Sequence, residues 1–323
     1  MRLAKLNESL SNHKLATAIK SKDGKKLINE GAVLSDKVIE RLINSGLNTV
    51  YIEDENIDIE LQGTLDSDKM AAIFIKLQEV YEAASKDEFN NYKFNNFIRN
   101  ELLPEIKNEP ISITVGQVMD KDDIIQHSIN VALLSVKTAI TLGINRDKIE
   151  YLAIASLMHD IGKILKQKNE KLKKELYEEI GFEFLKRKQT SALVYMTVKF
   201  QSEFFDGNGL FKMEGKKQNE LIKILSICDY YENLLRTTEL MPHECFEKVQ
   251  SLVNTRFDPE IFDAFRKSLY IYPMGLPVRL NNGVEGVVYI QNKSYPLRPI
   301  IKTKNMYYNL LENLSLFIEQ VTL

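Results

Sequence analysis

Apolar residues recur at helical spacing along most of this chain, and between about 115 and 265 the pattern is nearly unbroken. Asp122 or Asp123 starts a helix with Ile124, Ile125, Ile129, Ala132, Leu133, Val136 and Ile140 on its apolar side, and Gly143 ends it. Asp147 starts the next, with Ile149, Leu152, Ala153, Leu157 and Met158 facing inward, and Gly162 interrupts it. A Lys/Glu-rich stretch over 163–179 reads as a solvated face or loop. Further helices are predicted over 178–203 and 219–235, with later ones near 243–270.

The flanks differ. Residues 1–62 read as a small mixed module. Ser35 caps a helix over 36–44, Gly46 follows its end, and NTVYIE (48–53) is a short β-favouring run. LQGTLDS (61–67) reads as a connection. Residues 68–107 are helical again, with Met70, Ile73, Phe74, Leu77, Val80 and Tyr81 on one face and Phe94, Phe97, Ile98, Leu102 and Leu103 in a second pattern. In the tail, PVRLNNGVEGVVYI (277–290) carries two β-favouring runs around Asn281-Asn282-Gly283, a hairpin signal, and PIIKT (299–303) is a short strand before a polar end. The expected fold is mainly α. A helical core over 115–270 follows a small α/β module (1–66) and a connecting helical segment (67–114), and precedes a C-terminal β-hairpin segment (271–323).

Composition narrows the function classes. The chain has 323 residues, a length that suggests about two domains, and its 44% hydrophobic content is that of a globular protein. With 43 Lys+Arg against 45 Asp+Glu, it has no electrostatic footprint for a nucleic-acid polymer. Cys228 and Cys245 make neither a disulfide framework nor a CxxC metal knuckle and read as small core residues. No apolar run approaches a membrane span, and the N-terminus lacks an apolar signal-peptide core, so a cytoplasmic location without membrane attachment is expected. GxxxxGK[ST] and GxGxxG do not occur, which argues against P-loop and Rossmann nucleotide sites.

The four histidines, His13, His127, His159 and His243, limit any metal chemistry. Four positions stand out inside apolar helical runs: His127, the pair His159-Asp160, and Asp229 at the end of LIKILSICD. A carboxylate buried in such a run costs several kcal/mol, as an order of magnitude, unless it is paired or metal-bound. Two His and two Asp from three helices suit a divalent ion with positions left open for water. His13 and His243 read as structural or solvated.

The blocks HSINVALLSVKTAITLG (127–143), LAIASLMHDIGK (152–163), FFDGNG (204–209) and ILSICDYYENLL (224–235), followed by YPMGLPVRLNNGVEGVV (272–288), resemble the HD superfamily in the family's order. They resemble most its HD-GYP branch, the cyclic-di-GMP phosphodiesterases. The resemblance covers about 115–303 and implies a helical HD bundle. It implies that His127, His159, Asp160 and Asp229 are the core metal ligands, that Asp123 can reach an additional metal, and that Lys163 contacts substrate phosphate. It also implies that the turn with Asp206, Gly207 and Gly209 closes over phosphate or guanine, and that Asp160 and Lys163 take part in catalysis.

The chain departs from the family where the second metal binds. Tyr177 stands about where a further histidine is expected, Gln201-Ser202-Glu203 replaces His-His-Glu, Gly209-Leu210-Phe211 replaces Gly-Tyr-Pro, and Glu232 replaces the second aspartate of D-x-x-D. No His lies between His159 and His243. Glu203 and Asp206 are available as carboxylate ligands, though nothing in the sequence forces that. A site with one ion keeps Lewis acidity and loses the second clamp on transition-state charge.

The expectation is therefore a metal-dependent phosphodiesterase acting on cyclic di-GMP or a related nucleotide with a thinned-out site. It would use one divalent ion, Fe or Mn rather than Zn or Mg. Two alternatives stay open: a catalytically inactive signalling protein that binds nucleotide or a protein partner, and a one-metal HD nucleotide phosphohydrolase. A homodimer is expected only by analogy.

Overall fold

The structure is a computed structural model. It describes every residue except 22–24, 48, 56, 58, 60–66, 107–109, 112–123, 239 and 293–294. The described residues form two compact units, one within 1–63 and 269–323, the other within 64–111 and 124–268. The N-terminal module and the C-terminal segment thus fall in one unit, although the sequence pattern reads them separately. The connection at 61–66, and Asp122 and Asp123, which the sequence pattern offers as the start of a helix, lie outside the described residues.

The first unit opens with β1 (Arg2–Lys5), β2 (Ile19–Lys20), β3 (Lys26–Ile28), α1 (Asp36–Asn44) and β4 (Thr49–Ile52). Strands β1 and β4 pair antiparallel, with Leu3 opposite Tyr51. Leu6, Leu15, Leu34, Ile39, Leu42 and Ile52 form its core. Ser35 precedes α1 as expected but its side chain accepts no capping hydrogen bond, and Gly46 adopts the left-handed conformation just past the end. Five C-terminal strands complete the unit: β5 (Pro277–Leu280), β6 (Glu285–Ile290), β7 (Ile300–Lys302), β8 (Tyr307–Asn309) and β9 (Ile318–Val321), in sheet order β8-β7-β6-β5-β9. The predicted hairpin is β5–β6, with Gly283 at φ +81° in its turn. The polar end that the sequence leaves without structure supplies β8, which pairs with the neighbouring β7, and β9, whose partner β5 is distant in sequence. Tyr51 Oη donates to the Met274 carbonyl at 3.0 Å, and Leu3 N to Gly275 O at 2.9 Å, joining the two stretches of chain.

The second unit is helical: α2 (Ser67–Ser85), α3 (Asn91–Phe97), α4 (Ile124–Leu142), α5 (Arg146–Met158), α6 (Ile161–Lys168), α7 (Tyr177–Arg187), α8 (Ala192–Lys199), α9 (Glu220–Thr237), α10 (Pro242–Ser251) and α11 (Pro259–Lys267). Its central element is α4. A helix apolar on nearly all sides must be surrounded, and α4 is buried along most of 127–139, packed by α5, α9, α11 and α2. Asn145 and Asn219 cap α5 and α9 by accepting from backbone N–H groups of the first turn.

The break after α5 falls at His159-Asp160 rather than at Gly162. Gly162 lies inside α6, and a Cβ on it would stand 1.9 Å from the Tyr177 carbonyl oxygen, so this glycine exists for the close approach of α6 and α7. The Lys/Glu-rich stretch is helical as far as Lys168. Among the described residues no helix is long and apolar enough to cross a membrane.

Candidate metal centre

Three helices converge on one point. The first turn of α4 supplies His127, the turn between α5 and α6 supplies His159 and Asp160, and the middle of α9 supplies Asp229. The imidazole Nε2 atoms of His127 and His159 are 3.1 Å apart. Asp229 Oδ1 lies 3.2 Å from the first and 3.3 Å from the second, while Asp160 Oδ2 lies 3.6 Å from the first and its Oδ1 3.6 Å from the second. Two donors each about 2.1 Å from a common ion, at angles of about 90–109°, stand about 3.0–3.4 Å apart. The His–His and His–Asp229 separations have that spacing. Ligand atoms of His127, His159 and Asp160 all lie within 4.8 Å of one another, and all three residues are buried.

The surroundings aim the imidazoles. His159 Nδ1 donates to the Ser156 carbonyl at 2.7 Å, since that oxygen can only accept, and Nε2 is the ring atom turned toward the cluster. His127 Nδ1 is hydrogen-bonded to Glu232, whose other oxygen accepts from Asn130 Nδ2 at 3.1 Å. A carboxylate behind a metal-facing histidine fixes its ring and raises its basicity. Burial pushes the His127 imidazole down, but the acceptors Asp229 and Glu232 outweigh it and raise it to about 9. For Asp229, burial works upward, and the hydrogen bonds and charges of His127 and His159 hold it well below the usual carboxylate range. The metal-free cluster is thus an imidazolium held between carboxylates, with donors suited to a divalent cation.

Lys163 stands one turn beyond Asp160, donates to its Oδ2 at 2.7 Å, and lies 4.7 Å from the centre of the Tyr177 ring. Its side chain is 37% exposed, so the ammonium reaches both the cluster and solvent.

The positions where histidines are missing are occupied by groups already engaged. Gln201 is buried and donates from Nε2 to the His159 carbonyl at 2.9 Å, supporting the turn that carries His159-Asp160. Ser202 donates to Glu178 Oε1 at 2.8 Å. Burial pushes the Tyr177 phenol upward, and the charges of Glu178 and Asp160 add to this. Both carboxylate oxygens of Glu203 accept backbone N–H groups, from Phe211 and, at 2.5 Å, from Met213, so it shapes the loop. Asp206 is exposed and its carboxylate accepts from Asn208. Gly207 has φ +83°, and a Cβ on Gly209 would stand 2.5 Å from Glu203 Cα, so both glycines have a backbone reason to be there.

The structure thus brings His127, His159, Asp160, Asp229 and Lys163 together, and places Asp206, Gly207 and Gly209 on a separate tight turn. Asp123 lies outside the described residues. His13 is exposed, and His243 is partly buried at the start of α10, where burial lowers its imidazole. Cys228 and Cys245 are buried free thiols. Sequence reasoning saw Glu232 only as a departure from a motif. Its i, i+3 spacing from Asp229 was the available sign that both face the same site.

The HD domain family model matches residues 124–234, a span that contains the whole His-Asp cluster. Residues 124–234 are thus those of an HD domain. A Pseudomonas aeruginosa protein, cyclic di-GMP phosphodiesterase PA4108, is 29% identical over 195 residues, 54% of this chain. The match spans 46% of that relative's own length. Among solved structures, Bd1817, a HDG"Y"P protein from Bdellovibrio bacteriovorus, aligns with 81% of this chain and 97% of its own at 18% identity and a TM-score of 0.49. The HD domain of the L. monocytogenes phosphodiesterase PgpH, in complex with cyclic-di-AMP, aligns with 44% of this chain and 87% of its own at 18% identity and a TM-score of 0.33. The HD domain of this chain can hold a divalent metal on His127, His159 and Asp160.

Proposed function

We propose that the chain is a metal-dependent phosphodiesterase of the HD-GYP type acting on cyclic di-GMP or a related cyclic dinucleotide. The observation that carries this reading is the cluster itself: two imidazole nitrogens and Asp229 at coordination spacing, with Asp160 beside them and a lysine at the rim. The likeness to a cyclic di-GMP phosphodiesterase supports the substrate class.

His127, His159, Asp160 and Asp229 would hold one ion, and Fe or Mn suits this mixed imidazole–carboxylate set. Bound there, a divalent ion supplies Lewis acidity toward a phosphoryl oxygen and lowers the pKa of water. Glu232 orients His127, and the Ser156 carbonyl orients His159. Gln201 holds the backbone carbonyl of His159. Lys163 is placed to stabilise negative charge growing on the phosphoryl oxygens, its ammonium held near by Asp160 until substrate arrives.

The engaged state of Gln201 and Ser202 favours a single ion and slow turnover. It also supports the second reading, a signalling protein that binds the dinucleotide without cleaving it. Protein loaded with Mn or Fe, incubated with cyclic di-GMP and resolved by chromatography, tests both. A linear dinucleotide product, lost in His159→Ala and Asp160→Ala, is expected. Binding without product under either metal selects the second reading. Turnover of nucleoside monophosphates alone points to a one-metal phosphohydrolase.

A further inference from the structure

Among the described residues of the helical unit, one partly buried arginine stands without an anion. Arg256, between α10 and α11, has its guanidinium carbon 4.2 Å from the centre of the Tyr230 ring, 4.7 Å from Phe204 and 5.6 Å from Phe257. Among the described residues its side chain makes no ion pair and no hydrogen bond, and its Nε is buried without a partner. Arg99 shows the contrast, holding both oxygens of Glu150 at 2.8 and 3.0 Å. Aromatic faces stabilise a guanidinium from above and below but leave its edge donors unsatisfied. A partly buried cation with open edge donors is a site waiting for an anion.

Its position says which anion. Tyr230 follows Asp229 on α9, so the ring that carries the guanidinium is adjacent in sequence to a candidate metal ligand. The Arg256 carbonyl accepts from Phe205 N at 3.0 Å, and the Thr255 carbonyl from Asp206 N at 2.9 Å, which ties this turn to the 204–209 loop. Burial lowers the guanidinium from its usual range, and the groups acting against that are Tyr230, Asp229 and Tyr177. Arg256 is thus a positive charge packed on Tyr230, the residue after Asp229, and on Phe204, at the start of the 204–209 loop.

We propose that Arg256 is a phosphate-binding residue of the centre, taking the oxygens of a nucleotide phosphodiester on its edge donors while Tyr230 and Phe204 hold its plane. This rests on the nucleotide reading above, and adds the residue that would anchor the phosphate from outside the metal cluster. A planar, permanently charged fork on aromatic faces suits a phosphate better than an ammonium would.

Calorimetric titration of the Mn-loaded full chain with cyclic di-GMP and with cyclic di-AMP tests it, in wild type, Arg256→Gln and Arg256→Lys. A charge-assisted hydrogen bond predicts about a 10- to 150-fold weaker Kd for Arg256→Gln, equal for the two dinucleotides, with Mn affinity unchanged. Arg256→Lys keeps a cation on the aromatic faces, preserves the fold if Arg256→Gln does not, and should weaken both ligands several-fold. Unchanged dinucleotide affinity in a folded variant overturns the assignment alone. Weakening confined to cyclic di-GMP also overturns it, since that outcome assigns Arg256 to the base. Failure of wild type to bind either dinucleotide overturns both this inference and the functional reading.

Discussion

Loading the centre with metal should expel a proton, and His127 is where it comes from. In the metal-free protein its imidazolium is held by Glu232 at Nδ1 and Asp229 at Nε2, with the pKa raised to about 9. At pH 7 about 99% of molecules carry that proton, two pH units below the pKa. A cation can take Nε2 only by displacing it, at a cost of about 2.7 kcal/mol, or about 100-fold in apparent affinity. Nδ1 keeps its own proton because Glu232 accepts it. Titration of Mn²⁺ by calorimetry, in buffers of different ionisation enthalpy, counts the protons. About one should be released per ion at pH 7 and about half near pH 9, with apparent affinity rising about tenfold per pH unit between. Glu232→Gln removes the charge behind Nδ1, so it should lower both the proton count at pH 8 and the affinity at high pH, the latter by about 10- to 100-fold. Tight Mn binding at pH 7 with no proton released would refute the reasoning.

The same imidazole governs stability when metal is absent. Its folded pKa lies above the unfolded value of 6.5, so its contribution of about 3 kcal/mol is present in full below pH 6.5 and is lost as pH rises through about 9. Urea unfolding of chelator-treated protein should show a lower midpoint at pH 9.5 than at pH 6, and a rise would contradict it. Gly162→Ala sets a Cβ against the backbone oxygen of Tyr177, which no rotamer change relieves, and should cost about 3 kcal/mol by the same urea assay. Lys163→Ala should leave metal content unchanged by elemental analysis and reduce kcat on cyclic di-GMP about 10²–10³-fold. Undiminished turnover would remove Lys163 from the chemistry.

The helical core was legible because a buried helix writes its periodicity into a contiguous stretch of chain. Helix α9 and the run that became α4 and α5 follow their apolar positions closely. The hairpin β5–β6 was legible for the same local reason, through Asn282-Gly283. Strands β8 and β9 were not, since β9 pairs with β5 about forty residues away and short polar strands carry little alternation. Gly162 read as a helix stop because glycine usually is one, whereas the real constraint is the backbone of Tyr177 pressed against it.

By itself the sequence determined the residue types of the centre and their order: two histidines, two aspartates and a lysine in apolar helical runs, with histidine missing beyond residue 159 until 243. Only the tertiary structure decided how they are used. The donor spacing near 3.2 Å depends on where α4, α5 and α9 cross. So does the choice of Glu232 to hold His127, the engagement of Gln201 and Ser202 elsewhere, and the arginine left on its aromatic plates without a counterion. Coordination and charge pairing act over a few ångströms, and the groups concerned lie 24 to 105 residues apart along the chain.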